Sequence, residues 1–269
     1  MAASLALVDR AVNCAYGAPS VTAPKSTRLP HDERREQLVR LGLELLGNSP
    51  YDQVSIGEIA RAAGISKGLL YHYFPTKSEF VVAVLRQSRE DLERRMRPDM
   101  SLPAEARLDQ SLDAFLHYAE EHAIGFVAVA RARGGEDDAI RAVLLEGRRR
   151  RIGAMVDFAA ALSGTPRAEL ASPALEAAFE GWLSFCEGVV VRWLAQRDLE
   201  RDAVLVLLRR ALLSALESVA AVDARPAFAR LAQASAAVMR GSAVGAAAGG
   251  ADTGGATTLA GAGRPETKT

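Results

Sequence analysis

From His31 to Arg240 apolar residues recur every three to four positions, and no segment alternates apolar and polar residues as a half-buried strand does. The pattern predicts an all-α chain. The first helix spans His31 to Gly47, with Leu38, Leu41, Leu45 and Leu46 on one face and Glu33, Arg34, Arg35 and Arg40 on the others. The segment GNSP stops it. Ser55-Ile56-Gly57-Glu58 is a capping box, in which the serine hydroxyl caps the third amide and the glutamate reaches back. It opens a second helix through Ala63 that turns Ile56, Ile59, Ala60 and Ala63 inward. Gly64 ends that helix, Ser66 caps a third running to about Phe74, and Pro75 stops the third. Thr76-Lys77-Ser78-Glu79 reads as a second capping box, for a fourth helix reaching about Arg97.

Beyond a break at RPDMSLP the period predicts helices over 104–121, 124–133 and 137–162, then, after a linker SGTPRAELASP, over 174–196, 201–221 and 226–240. The two ends differ. Residues 1–29 show no sustained period, and residues 241–269 are almost all Gly, Ala, Thr and Ser. Both have too little apolar surface to offset ordering entropy and are expected to be disordered. The expected organisation is an arm over 1–29, a first domain over 30–97, a second over 98–240 and a tail over 241–269.

Composition narrows the function classes without choosing one. The chain has 269 residues, enough for a substantial core. Lys+Arg and Asp+Glu are both 33, so bulk charge argues for neither a nucleic-acid nor a membrane partner. Over 31–97 the basic and acidic residues nearly balance, so any positive face must come from arrangement. Two cysteines far apart, Cys14 and Cys186, predict neither a disulfide framework nor a zinc site. No apolar run is long enough to span a bilayer, and MAASLALVDR lacks the basic start of a secretory signal, so a cytoplasmic location is expected. His117 and His122 are five apart, off the spacing of helical metal ligands, and no phosphate loop or nucleophile elbow occurs. No cofactor, metal or catalytic cluster is expected.

The second and third helices make a helix-turn-helix. Ala60 supplies the small residue where the helices cross, and Gly64 allows the positive φ of the turn. With Leu69 and Leu70 inward, Lys67, Gly68, Tyr71 and His72 lie outward. That face carries donors for phosphates and base edges, and Gly68 permits close approach. Lys77 begins the fourth helix, where its charge adds to free amides that favour a phosphate. The alternative is a helix-turn-helix used for packing alone.

The stretch SIGEIARAAGISKGLLYHYFPTKSEF resembles the DNA-binding domain of the tetracycline-repressor (TetR) family of bacterial regulators. The resemblance rests on Ile59-Ala60, Gly64, Tyr71-His72-Tyr73-Phe74 and Lys77 to Phe80, and covers residues 31–97. Two departures are Leu46, where the family usually has an aromatic, and the long N-terminal arm. The resemblance implies an N-terminal three-helix helix-turn-helix DNA-binding domain and a C-terminal helical ligand-binding and dimerisation domain. It implies DNA contacts from Lys67, Gly68, Tyr71, His72, Tyr73 and Lys77, with Arg34, Ser55 and Ser66 at flanking phosphates. Ser55 and Ser66 have a competing role as caps, and Tyr73 one in packing against the first helix.

The helix from Ala174 is apolar on two faces, and so is the next. Helices apolar this far round must be covered on both sides. A second copy of the chain is one cover, a thick monomeric core the other. For the homodimer, Phe179, Leu183, Val190, Leu194, Leu205, Leu208, Leu212 and Leu216 are the candidate interface. Phe115, Tyr118, Phe126, Met155, Phe158, Trp182, Phe185 and Cys186 lie on helices able to converge on a ligand cavity, although each alone also suits plain core. Glu176, Glu180, Ser184 and Glu187 form a polar stripe, either a solvated edge or a site for a cationic ligand. The arginine run 148–151 points round its helix and suits a solvated or Glu-paired surface. The expected function is a homodimeric repressor that binds a palindromic operator in double-stranded DNA and is released by a small, largely apolar ligand. The alternatives are an activator or ligand-free regulator on the same fold, and an all-helical binding protein with a vestigial helix-turn-helix.

Overall fold

The computed structural model describes residues 30–47, 55–132 and 137–249, and among these residues it contains ten α-helices, a short 3-10 turn and no strand. An N-terminal unit holds α1 (His31–Gly47), α2 (Ile56–Ala62), α3 (Lys67–Tyr73) and α4 (Lys77–Arg95). The remainder holds α5 (Ala104–Glu121), α6 (Ala123–Ala132), α7 (Asp138–Ser163), α8 (Pro173–Gln196), α9 (Arg201–Val219) and α10 (Pro226–Gly249). Most boundaries fall within a residue or two of those the apolar period predicts. Two do not. The linker after α7 contains a 3-10 turn, Arg167–Leu170, because Leu170 is drawn into the core. The last helix continues to Gly249 rather than stopping at Arg240, since its alanines sustain a helix that polarity alone does not forbid. The expected arm over 1–29 and the tail from residue 250 onward lie outside the described residues, as do residues 48–54, which include part of the expected stop after α1.

The caps explain where helices begin. The Ser55 hydroxyl accepts from the Glu58 amide at 3.1 Å, and the Glu58 carboxylate accepts from the Ser55 amide at 2.7 Å, so this capping box is complete. At Thr76 only half a box forms. The Thr76 hydroxyl accepts from the Glu79 amide at 3.1 Å, but Glu79 turns to that hydroxyl at 3.5 Å and not to the backbone. Asp137 caps α7 through the amides of Ala139 and Ile140. Gly64 and Gly164 take φ of +64° and +62°, the left-handed values that close α2 and α7.

Two cores result. In the N-terminal unit Leu38, Ile59, Leu70, Phe74, Phe80 and Val84 are buried together, and each such side chain contributes roughly 1.5–3 kcal/mol. At Gly42 α1 comes close to α4. A Cβ there would lie 2.5 Å from Phe80 Cζ and 2.6 Å from Val84 Cγ2. Ile140, at the start of α7, is buried in this same core, so the second unit is anchored in the first. In the larger unit α9 packs between α8 and α10, with α5 and α7 completing the bundle.

The structure corrects the expected dimer residues. Phe179, Leu183, Val190, Leu194, Leu208, Leu212 and Leu216 are all buried within one chain, and Leu205 is half-buried, so they are core. The inner stripe of each helix is consumed by α5, α7 and α10, and a second copy has no access to it. What remains outside is Phe185 on α8 and Val206 and Leu207 on α9, 38%, 40% and 43% exposed.

Candidate functional site

The third helix is the first candidate. It lies against α2 and is held by one fully buried residue, Leu70, backed by Phe74 just beyond its end. Phe74 meets Phe80 edge-on at 5.1 Å, and the Arg35 guanidinium of α1 sits over its ring at 4.9 Å. Lys67, Gly68, Leu69, Tyr71 and His72 are consequently exposed along one face. Leu69 was expected inward and is not. A seven-residue helix needs one inward position per turn, and Leu70 takes it. Leu69 thereby joins the outward face, where its apolar surface suits a thymine methyl.

The other predicted contacts fall into place around this helix. The Ser66 hydroxyl accepts from the Leu69 amide at 3.1 Å, and both Ser55 and Ser66 cap while remaining exposed. A hydroxyl accepting from an amide keeps its own proton to donate, so capping does not conflict with a phosphate contact. Glu58 has its carboxyl held below the usual range, chiefly by the Ser55 amide. Tyr73 is half-buried with its ring 4.7 Å from that of His31, so it ties α3 to the start of α1. His72 touches the same histidine edge-on at 5.9 Å. Arg34 donates to Gln37 at 2.8 Å, and Lys77 is half-exposed at the first turn of α4. Gly57 escaped the sequence reading. The Lys67 stem lies across it, with Cε 2.7 Å from the place of a Cβ, so Gly57 provides the channel that positions Lys67.

The second candidate is a cavity of about 550 Å³ bounded by α4, α5, α6, α7 and α8, with Leu43 and Leu46 of α1 at its edge. Of the eight residues expected to line it, Phe115, Tyr118, Phe126, Trp182 and Cys186 do. Met155 and Phe158 pack against the core further along α7, and Phe185 faces outward. An apolar residue at the right helical spacing is compatible with core, cavity or surface, and only the crossing of α7 with α8 separates these. Burial pushes the Cys186 thiol up, which leaves it inert. The Trp182 indole donates to the Leu208 carbonyl at 2.9 Å, and Ser88 and Tyr118 hydroxyls satisfy each other at 2.6 Å.

The polar stripe on α8 is a largely exposed edge: Glu176 and Ser184 are exposed, and Glu180 and Glu187 are part-exposed and paired to an arginine of the chain itself. Arg148 of α7 bonds the Glu180 carboxylate, the Glu187 carboxylate at 3.1 Å, the Ser184 hydroxyl at 2.8 Å and the Glu180 carbonyl at 2.8 Å. Arg150 pairs with Glu146 at 3.3 Å. The arginine run is thus partly Glu-paired, as its sequence suggested. Among the described residues no group of His, Cys, Asp and Glu could hold a metal ion, and no helix is long and apolar enough to cross a membrane.

A capped, glycine-turned helix pair presenting a polar outward face, followed by a helical bundle with an internal cavity, defines a helix-turn-helix protein with a second, helical domain. Comparison with known proteins narrows that class. Residues 38–84 match the family described as bacterial regulatory proteins, tetR family, and residues 104–215 match a tetracyclin repressor-like C-terminal domain. The transcriptional activator FasR of Mycolicibacterium smegmatis is 33% identical over 104 residues, covering 38% of this chain and 48% of its own length. The regulator BetI of Cronobacter sakazakii is 35% identical over 79 residues, covering 28% and 39%. The chain thus spans less than half the length of either relative. A tetR-family regulator from Streptomyces coelicolor has a similar structure, with a TM-score of 0.68 and 27% identity over 82% of this chain and 98% of that one. The chain belongs to the TetR family of transcriptional regulators, a family of DNA-binding proteins and not of enzymes.

Proposed function

We propose that this chain is a homodimeric repressor that reads a palindromic operator with α3 and is released when a small, largely apolar molecule occupies the cavity. The supporting observation is the outward face of α3, where Lys67, Gly68, Leu69, Tyr71 and His72 are exposed together while Leu70 alone anchors the helix. Base edges are read by Lys67 and Tyr71, and phosphates are held by Lys77, Arg34, Ser55 and Ser66. A second copy docks on the outer face of α8 and α9. Gly181 and Gly188 leave open space on the same helix as exposed Phe185, and Val206 and Leu207 are exposed on α9, features that suit the close approach of two helix pairs. The dimer sets the two reading helices about one DNA turn apart, roughly 34–36 Å. A cytoplasmic location follows from that partner.

Release works through shared walls. Val81, Val84, Leu85 and Leu92 of α4 line the cavity, and α4 directly follows the reading helix. An occupant that favours one setting of α4 changes the spacing of the heads. Reversing a 99:1 equilibrium takes a differential affinity of about 5.5 kcal/mol between the two states.

The test is fluorescence anisotropy of the full chain on its own upstream intergenic DNA, with scrambled competitor at fixed salt. Competitor-resistant binding is expected. Lys77→Ala weakens specific and non-specific binding alike and shallows the salt slope by about one unit. Tyr71→Ala lowers specific binding more than non-specific. Intact binding in both variants would show that α3 is not the reading helix. An activator is the second reading, favoured by the name of the FasR relative. Target transcripts that fall on deletion of the gene select it, and transcripts that rise select the repressor.

A further inference from the structure

The cavity has a charge that its apolar walls do not explain. Arg89, Arg141, Arg148 and Arg151 all line it, against a single lining carboxylate, Glu187. Three of these cations are accounted for. Arg148 spends its guanidinium on Glu180, Ser184 and Glu187. Arg141 pairs with Asp138, one turn away. Arg89 has ion-pair partners in Glu146 at 3.3 Å and Glu93 at 3.7 Å, although its buried Nε and Nη1 make no hydrogen bond. Arg151 differs: among the described residues it makes no ion pair and no hydrogen bond, and the lining carboxylate beside it is already taken by Arg148. Burial pulls the Arg151 guanidinium below its ordinary value, the direction expected of a cation short of counter-charge. A buried charge is costly unless paired, and a guanidinium offers two parallel donors that match a carboxylate.

The remaining polar groups cannot take its place. The hydroxyls of Ser88 and Tyr118 are bonded to each other, and the Trp182 indole to a carbonyl. The His122 ring lies 4.5 Å from that of Tyr118, and burial lowers its pKa, so it brings no positive charge. The same walls include Phe126, Phe115 and Val143, and Leu92 and Val84 of α4. Among the described residues Arg151 is thus the lining cation without an ion pair, in a chamber of about 550 Å³ with mostly apolar walls, a size within the range of small-molecule pockets.

We infer that the molecule this cavity takes is an amphiphile with one carboxylate, its acid group on Arg151 and its apolar body along α4, α5 and α6. The inference rests on the reading of the cavity as a ligand site and adds the class of ligand. A neutral or cationic molecule of the same shape fills the same volume and leaves Arg151 unpaired.

The experiment is calorimetric titration of the full chain at neutral pH with decanoate, decanol and decylamine, each below the concentration at which it self-associates. Decanoate is expected to bind at least about 10-fold more tightly than decanol, with decylamine weaker than either. Arg151→Gln is expected to bring decanoate down to the affinity of decanol while leaving decanol unchanged. Arg151→Lys is expected to retain part of the preference. Equal binding of decanoate and decanol by the unaltered chain overturns the carboxylate assignment and leaves the ligand site standing. A preference that survives in Arg151→Gln overturns the role of Arg151. Binding of none of the three overturns the ligand site itself. The comparison within the unaltered chain decides the first and last outcomes even if the variant does not fold.

Discussion

Two glycines in helix interiors should respond oppositely to the same substitution. Replacing a helical glycine by alanine stabilises the helix by about 0.8–1 kcal/mol, because the backbone freedom lost on folding is smaller. Gly153, in the middle of α7, has room for a methyl group. The nearest atom to its Cβ is Arg167 Nη2 at 3.6 Å, an ordinary contact. Gly153→Ala should therefore gain close to the full propensity term. Gly42, in the middle of α1, has none. Its Cβ would stand 2.5 Å from Phe80 Cζ and 2.6 Å from Val84 Cγ2, and Phe80 is fully buried against Phe74. Neither neighbour can yield without moving α4, and overpacking of this kind costs typically 1–3 kcal/mol. Less the propensity gain, Gly42→Ala should lose about 1 kcal/mol. Urea unfolding followed by circular dichroism reads both signs as shifts in midpoint at unchanged slope. The reasoning is refuted if Gly42→Ala raises the midpoint as Gly153→Ala does, since the α1–α4 contact would then have slack that the packing denies.

Leu207→Glu places a charge on the outer face of α9 and should convert the proposed dimer to monomers in sedimentation with little change in helix content, whereas an unchanged dimeric mass would move the interface elsewhere. The same variant should lose most of its affinity for a two-fold DNA site while retaining weak binding to one half-site, read by anisotropy. Asp223 is held well below the usual carboxylate range by Arg225 and by the Ser172 hydroxyl, which donates to it at 2.8 Å. Its folded pKa lies under its unfolded one, so its contribution to stability is present above the unfolded value and is lost as the pH falls through the folded value. Asp223→Asn should lower the unfolding midpoint at neutral pH and converge with the unaltered chain in strong acid; a constant difference across pH would show that the carboxylate charge is not what matters.

Local chemistry was legible in the chain itself. The caps at Ser55, Ser66 and Thr76, the turn at Gly64 and the stop at Pro75 depend on residues within four positions of one another, and all five mark observed helix ends. The outward placement of Lys67, Gly68, Tyr71 and His72 was readable for the same reason, since a helix of fixed period must expose what its buried face leaves out. Where two adjacent leucines competed for one inward position, periodicity could not choose. The crossing with α2 chose Leu70 and released Leu69.

The larger unit shows the limit more clearly. The double apolar faces of α8 and α9 were plain in the sequence, but which face meets the chain's own core depends on the packing of α5, α7 and α10, helices distant in sequence. That packing buried Phe179, Leu183 and Leu212 and left Phe185 and Leu207 outside. The same holds for charge. Glu180, Ser184 and Glu187 form a stripe on α8 by spacing alone, but only the approach of α7 brings Arg148 onto them and leaves Arg151 lining the cavity without an ion pair among the described residues. Spacing along the chain determines what each helix can present. Which helix it is presented to is set by long-range contacts that no local pattern encodes, and both the cavity and the arginines in its walls are brought together only by them.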